Sequence, residues 1–175
     1  MNLRDYIRNI PDFPRKGILF RDITPLLLNP DAFDWAISEM VGIAKDLKPD
    51  VIIGIESRGF IFAIPISMNL GLPFVPVRKK GKLPYKTISE EYSLEYGKDK
   101  IEVHSDAIKK NENVLLVDDL IATGGTADAS AKLIKISNGK VAGFIFVINL
   151  FDLGGCDKLI NQGYKVENLI NFPGH

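Results

Sequence analysis

The chain contains a single cysteine, Cys156, which excludes an internal disulfide. It has only two histidines, His104 and His175, far apart and too few for a histidine-rich metal site; both read as surface residues. No apolar run reaches the length of a membrane span and no N-terminal basic-plus-apolar signal is present, so the expectation is a soluble, cytoplasmic protein with no membrane partner. Charge of one sign is not in excess: 22 Lys and Arg balance 22 Asp and Glu, which argues against nucleic acid as the main partner but leaves room for a local basic patch. Repeats and low-complexity stretches are missing. What is there, 175 residues of which 46% are hydrophobic, suffices for one domain, 1–175, with a real core.

The most informative stretch is 114–126, Val-Leu-Leu-Val-Asp-Asp-Leu-Ile-Ala-Thr-Gly-Gly-Thr. Residues 114–117 are too short and too β-branched for a helix and predict a buried strand of a parallel sheet. A helix is predicted to follow, so the loop between them lies at the carboxyl end of a strand, where open α/β sheets place ligands. Gly124 and Gly125 permit positive φ and close backbone approach. Free N–H groups, the Thr123 and Thr126 hydroxyls and the helix dipole then converge on one point suited to a phosphate monoester. Asp118 and Asp119 would repel that phosphate unless they served a different purpose, either accepting hydrogen bonds from sugar hydroxyls or attracting a divalent cation carried by the ligand. The stretch has neither the Gly-x-x-x-x-Gly-Lys-Ser/Thr of a nucleoside triphosphate P-loop nor the Gly-x-Gly-x-x-Gly of a dinucleotide fold.

Earlier in the chain, Leu3, Tyr6, Ile7 and Ile10 share a helical face that Pro11 ends, which predicts a short docking helix. Residues 11–28 are broken by prolines and a glycine yet strongly apolar, and read as a loop packed on the core or the wall of an apolar pocket. Asn29 and Pro30 followed by apolar residues at helical spacing predict a capped, core-facing helix. Residues 51–55 predict a buried strand leading through Ser57, Arg58 and Gly59 into a helix closed by Gly71, with Arg58 placed to grip a second phosphate. Residues 74–77 predict a strand that Pro76 makes an edge or irregular, followed by the cations Arg78, Lys79, Lys80 and Lys82. Residues 83–104 alternate in a hairpin pattern with a turn at 97–99; they supply no obvious core strand and are the expected place for a lid. Residues 141–150 and 164–169 predict strands and 152–160 a turn and short helix. The alternation predicts an α/β fold, a parallel doubly wound sheet flanked by helices.

The thirteen positions 114–126 closely resemble the phosphoribosyl pyrophosphate-binding signature of the type I phosphoribosyltransferases. Residues 20–25, 56–60, 78–84 and 92–97 resemble, in order, the members of that family that act on adenine. The resemblance implies a type I phosphoribosyltransferase-like fold with an N-terminal hood, 1–28, and a β-hairpin lid, 83–104. It implies conversion of adenine and phosphoribosyl pyrophosphate to AMP and pyrophosphate by a homodimer, with Mg²⁺ arriving with the substrate. Ala122, Thr123, Gly124, Gly125 and Thr126 would hold the 5-phosphate, and Asp118 and Asp119 the ribose hydroxyls. Ser57, Arg58, Lys79 and Lys82 would hold pyrophosphate, with Arg78 reaching across the dimer. Leu19, Phe20 and Arg21 match the base-binding hood, Leu153 would cover the other purine face, and Glu95 and Tyr96 match the lid. Glu95, Asp118 and Asp119 are the catalytic candidates; Glu95 would contact the purine or stabilise charge at the ribose. Two other functions keep the signature: transfer to another base such as xanthine, differing at the hood and around 141–153, and a phosphoribosyl pyrophosphate-sensing transcription regulator, which needs a DNA-binding element not visible here.

Overall fold

The computed structural model describes residues 1–94 and 97–175. Leu3–Tyr6 forms a 3₁₀ turn that buries Leu3, but the predicted helix stops there: Ile7 is extended, and Arg8–Pro11 forms strand β1, antiparallel to β2, Leu19–Asp22. The apolar spacing at 3–10 is compatible with a helix, yet cross-strand hydrogen bonds to residues distant in sequence decide the conformation. The same pairing turns part of the expected loop 11–28 into strand. Helices α1, Thr24–Leu28, and α2, Pro30–Leu47, follow. Between them Asn29 Oδ1 accepts the Ala32 N–H at 2.9 Å and Pro30 occupies the first helical position, as predicted.

The rest of the chain winds one sheet. Its elements are β3 (Val51–Ile55), α3 (Arg58–Leu70), β4 (Phe74–Lys79), β5 (Thr87–Leu94), β6 (Gly97–His104), β7 (Asn113–Ile121), α4 (Gly125–Ile136), β8 (Lys140–Leu150), α5 (Gly155–Asn161) and β9 (Val166–Phe172). Among the described residues the order is β5-β6-β4-β3-β7-β8-β9, parallel from β4 to β9, with β6 and β5 added antiparallel at one edge. Alternate residues serve opposite faces. Ile52, Leu115, Val117, Ile145 and Val147 join a core with α2 and α3, whereas Val51, Ile53, Leu116, Phe144 and Phe146 join one with α4 and α5. None of the helices described is long and apolar enough to cross a membrane.

Three details position the site. β7 does not end at Val117 but runs on to Ile121 beside β8, whereas its pairing with β3 stops at Gly54 and Val117. Asp118 and Asp119 therefore lie inside a strand but past the end of their neighbour on one side. Pro76 is not on an edge strand, yet it is harmless: the carbonyls of Pro73 and Val77 face β3, so Pro76 faces the other way, where β6 pairs only with Arg78 and Lys79. The hairpin corrects the expectation that 83–104 adds no core strand. Ile101 and Val103 of β6 are buried, and Lys98 and Asp99, expected in a turn, are ladder residues.

Because Ile101 is 2% exposed in the core shared with α4, Ile101→Ala should destabilise the protein by about 2–5 kcal/mol. Chemical denaturation measures this directly; an unchanged midpoint would mean the hairpin is independent of the core.

Candidate active site

The end of β7, the loop 122–124 and the start of α4 form one wall of a cleft of about 280 Å³. Asp118, Leu120 and the five loop residues Ala122, Thr123, Gly124, Gly125 and Thr126 line it, and Tyr92 and Ser93 of β5 close it from across. Gly124 sits at φ 78°, a left-handed conformation that glycine adopts without strain, and no side chain caps α4. The first N–H groups of a three-turn helix and the positive end of its dipole thus face the cleft. The loop is backed by Gly155, whose N–H donates to the Ala122 carbonyl at 3.0 Å, and any Cβ there would run into that same oxygen.

Asp118 Oδ1 accepts the Asp119 N–H at 2.9 Å and packs against Gly59, where a Cβ would approach within 2.8 Å. Arg58 Nε lies 2.9 Å from Asp119 Oδ2, yet the N–H is not aligned with it, so this buried oxygen has no hydrogen bond. Burial, followed by the charge of Asp119, pushes Asp118 well above the usual carboxylate range. Burial also raises Asp119, but the Arg58 guanidinium opposes it. Burial thus disfavours charge on both carboxyls, and Arg58 opposes this chiefly at Asp119.

Arg58 begins α3, and its neighbour Ser57 occupies the N-cap without using its hydroxyl as a cap. The guanidinium also lies over the Phe20 ring, 5.2 Å from its centre, while Phe13 meets that ring edge-on. Phe20 and Asp119, far apart in sequence, thus share one cation. Arg78 makes a two-pronged contact with Glu56, 3.3 Å at each oxygen, and donates to the Lys82 carbonyl; the Lys79 N–H also donates to Glu56, at 2.8 Å. Lys79 Nζ is 3.6 Å from Asp99, and Lys82 is exposed. Of the predicted cation cluster, Glu56 therefore holds the Arg78 guanidinium and the Lys79 backbone, leaving the Lys79 ammonium to Asp99 and Lys82 exposed.

Leu19 and Phe20 are half-buried on β2, but the Arg21 guanidinium turns away into the interior. It donates to Asn9 Oδ1 and to the Pro173 carbonyl (2.7 Å) and lies 4.6 Å from the centre of the Phe172 ring. Burial and nearby Arg4 lower its pKa, Asp152 acting in the opposite sense. Leu153 sits in a 3₁₀ turn, Phe151–Leu153, that follows β8. Glu95 and Tyr96 lie outside the described residues. Cys156 is buried, its thiol pushed up to about 11 by burial and Asp157, which makes it a poor nucleophile.

Sequence reasoning gives no site role to Gly155, Tyr92, Ser93 or Glu56, although 56 and 92–93 fall in stretches that carry the family resemblance. The Gly154–Gly155 pair is a local signal for a close backbone approach. Tyr92 and Ser93 reach the cleft because the hairpin folds over α4.

A mostly parallel sheet with an uncapped helix start and a carboxyl pair at one strand end fits the phosphoribosyltransferases, and residues 31–168 match the family model described as a phosphoribosyl transferase domain: the chain belongs to that family. Within it, the chain groups with the adenine phosphoribosyltransferases. One so named from Pelagibacter ubique is 59% identical over 175 residues, all of both chains. The crystal structure of adenine phosphoribosyltransferase from Thermoanaerobacter pseudethanolicus has a TM-score of 0.93 at 48% identity, covering 97% of this chain and 98% of that one. The enzyme from Saccharomyces cerevisiae, complexed with an imino-altritol bisphosphate and adenine, has a TM-score of 0.89 at 38% identity, covering 96% of each chain.

The carboxyl pair carries a pH signature. The folded pKa of Asp118 lies above its unfolded value, so its contribution to stability is complete below the ordinary carboxylate range and lost as pH rises through the raised value. Asp118→Asn keeps the Oδ1 acceptor without the charge. It should melt above the parent at neutral pH, the gap closing as pH falls below the carboxylate range, while turnover drops roughly a hundredfold or more. Thermal melts across pH decide; a gap independent of pH would show that ionisation of Asp118 places no strain on the fold.

Proposed function

We propose that this chain transfers the 5-phosphoribosyl group of phosphoribosyl pyrophosphate to adenine, forming AMP and releasing pyrophosphate, in purine salvage. The observation that carries the reading is the uncapped N-terminus of α4 and Asp118 in one cleft wall, in a chain with full-length similarity to adenine phosphoribosyltransferases. The N–H groups of 124–126 and the Thr123 and Thr126 hydroxyls bind the 5-phosphate. Asp118 and Asp119 accept hydrogen bonds from the ribose hydroxyls, and Ser57, Arg58, Lys79 and Lys82 receive the pyrophosphate.

In the transfer, a ring nitrogen of adenine forms a bond to the anomeric carbon as the carbon–oxygen bond to pyrophosphate breaks; pyrophosphate leaves with the bonding pair, and the proton from the nitrogen passes to the departing pyrophosphate or to water. Positive charge develops on the ribose beside Asp118 and Asp119, and negative charge on the leaving group beside Arg58 and the lysines, so electrostatic stabilisation carries the chemistry. Among the described residues no group of three or more His, Cys, Asp or Glu could hold a metal alone. Yet the buried Asp119 Oδ2, paired with Arg58 but without a hydrogen bond, and neighbouring Asp118 are the hard oxygen donors that Mg²⁺ prefers, so they fit an ion that brings its own diphosphate ligands. When bound, Mg²⁺ neutralises charge on the departing pyrophosphate. Residues 83–104, which carry Glu95 and Tyr96, act as the lid, and Glu95 contacts the purine or stabilises charge at the ribose. Leu19 and Phe20 receive the base, Phe20 stacking on it, with main-chain groups near Arg21 reading its edge and Leu153 covering the far face. We read the protein as a cytoplasmic homodimer in which Arg78 serves the neighbouring site; the exposed Ile64 and Met68, one turn apart on α3, are apolar surface for such a contact.

The test is to incubate the protein with phosphoribosyl pyrophosphate, Mg²⁺ and each base separately. AMP from adenine alone is expected; IMP or XMP, or no nucleotide, overturns the reading.

The contact between Phe20 and Arg58 makes the two half-sites less separate than their places in the sequence suggest, and magnitudes predict by how much. Base stacking contributes about 1–3 kcal/mol, and an exposed cation–π contact about 0.5–1 kcal/mol. Phe20→Ala should therefore raise the KM for adenine roughly tenfold or more and that for phosphoribosyl pyrophosphate by less than about fivefold. Steady-state kinetics with each substrate varied separately tests this; the opposite ranking would mean that the half-sites are assigned the wrong way round.

A further inference from the structure

We propose that the C-terminal residues Phe172, Pro173 and Gly174 are positioning residues for the base slot, setting where Leu153 stands relative to the strand that carries Phe20. This rests on the reading above, in which those two side chains cover opposite faces of the purine. One end of the connection is on β2. Arg21, next to Phe20, is 4% exposed; its guanidinium donates to the Pro173 carbonyl at 2.7 Å and lies against the Phe172 ring. Arg4 holds the same ring from the N-terminal turn, 4.6 Å from its centre, and donates to the Asn171 carbonyl at 2.8 Å. A buried aromatic shared by two guanidinium groups, with carbonyls taking their N–H groups, is a fixed anchor rather than a frayed end.

The other end is on the turn after β8. The Gly174 N–H donates to Asp152 Oδ1 at 2.6 Å, and Gly174 lies so close beneath Leu153 that an added Cβ would come within 2.7 Å of Leu153 Cγ and 2.9 Å of its Cδ2. Gly174 is not among the positive-φ glycines, so its backbone suits any residue and only these close contacts, with Leu153 and with Asp152 Oδ1 at 2.8 Å from the added Cβ, demand glycine. The tail therefore spans from the residue beside Phe20 to the residue beside Leu153 in three positions, through one charge-assisted and one backbone hydrogen bond. Arg21 serves the base through this linkage: one terminal nitrogen donates to Asn9 and the other to the Pro173 carbonyl, and the buried Nε has no hydrogen-bond partner.

The decisive variant is Gly174→Ala in the full-length protein. The new methyl displaces Leu153 by a fraction of an ångström to an ångström, and a misplacement of that size should raise the KM for adenine about tenfold while kcat and the KM for phosphoribosyl pyrophosphate stay within about twofold. The melting temperature should stay close to that of the parent. Asp152→Ala, which frees the Gly174 N–H without adding an atom, should raise the adenine KM in the same direction, and Asp152→Asn, which keeps the acceptor, should restore it. If Gly174→Ala does not fold, the Asp152 pair carries the test alone. An unchanged adenine KM in every tail variant that folds, or equal losses for both substrates, overturns the proposal. Phe20→Ala measured alongside separates the two levels: if it too leaves adenine unaffected, the base-site reading has failed; if it alone weakens adenine, only the role of the tail has failed.

Discussion

Two carboxyl groups side by side at a buried strand end repel each other and lose hydration, and the structure near residues 118 and 119 answers both costs. β3 stops at Ile55 while β7 continues, so the carboxyls open towards the cleft and not into the packed sheet. Gly59 leaves room for Asp118 Oδ1, and Arg58, at the start of the same helix, brings its charge to Asp119. The compensation is partial, since one buried oxygen remains without a donor. A site left unsatisfied in this way is ready for hydroxyl donors or a cation, and the strain is relieved when they arrive.

Arg58 gives this arrangement its reach. By lying between Asp119 and the Phe20 ring it places a single charge where the sugar, the leaving group and the base are read as meeting. Arg21, one residue from Phe20, behaves in the opposite way: buried, locked to the C-terminal tail and withdrawn from solvent. The pair illustrates how identical side chains divide between electrostatic and architectural roles according to exposure.

The hairpin serves two ends at once. Ile101 and Val103 anchor β6 in the core and Glu102 Oε2 accepts the Gly81 N–H, while Tyr92 and Ser93 of β5 reach over the start of α4. One strand of the hairpin is thus rooted in the core while the other spans the cleft from that anchored base.

Much of this is readable in one dimension. The phosphate loop, the capped helix at Asn29, the buried strands at 51–55 and 114–117 and the helix ended by Gly71 depend on neighbours in sequence, because caps, turns and apolar runs are local physics. What only the tertiary structure decided depends on partners far along the chain. Residues 8–11 became a strand because Leu19–Asp22 offered a ladder. The acids were extended into β7 because β8 continued beside them. Ile101 and Val103 entered the core because β4 left an edge open at Arg78 and Lys79. Arg21 stands next to Phe20 in the chain, but its side chain turned inward because the Pro173 carbonyl and the Phe172 ring offered a buried cation its partners, which no local pattern encodes.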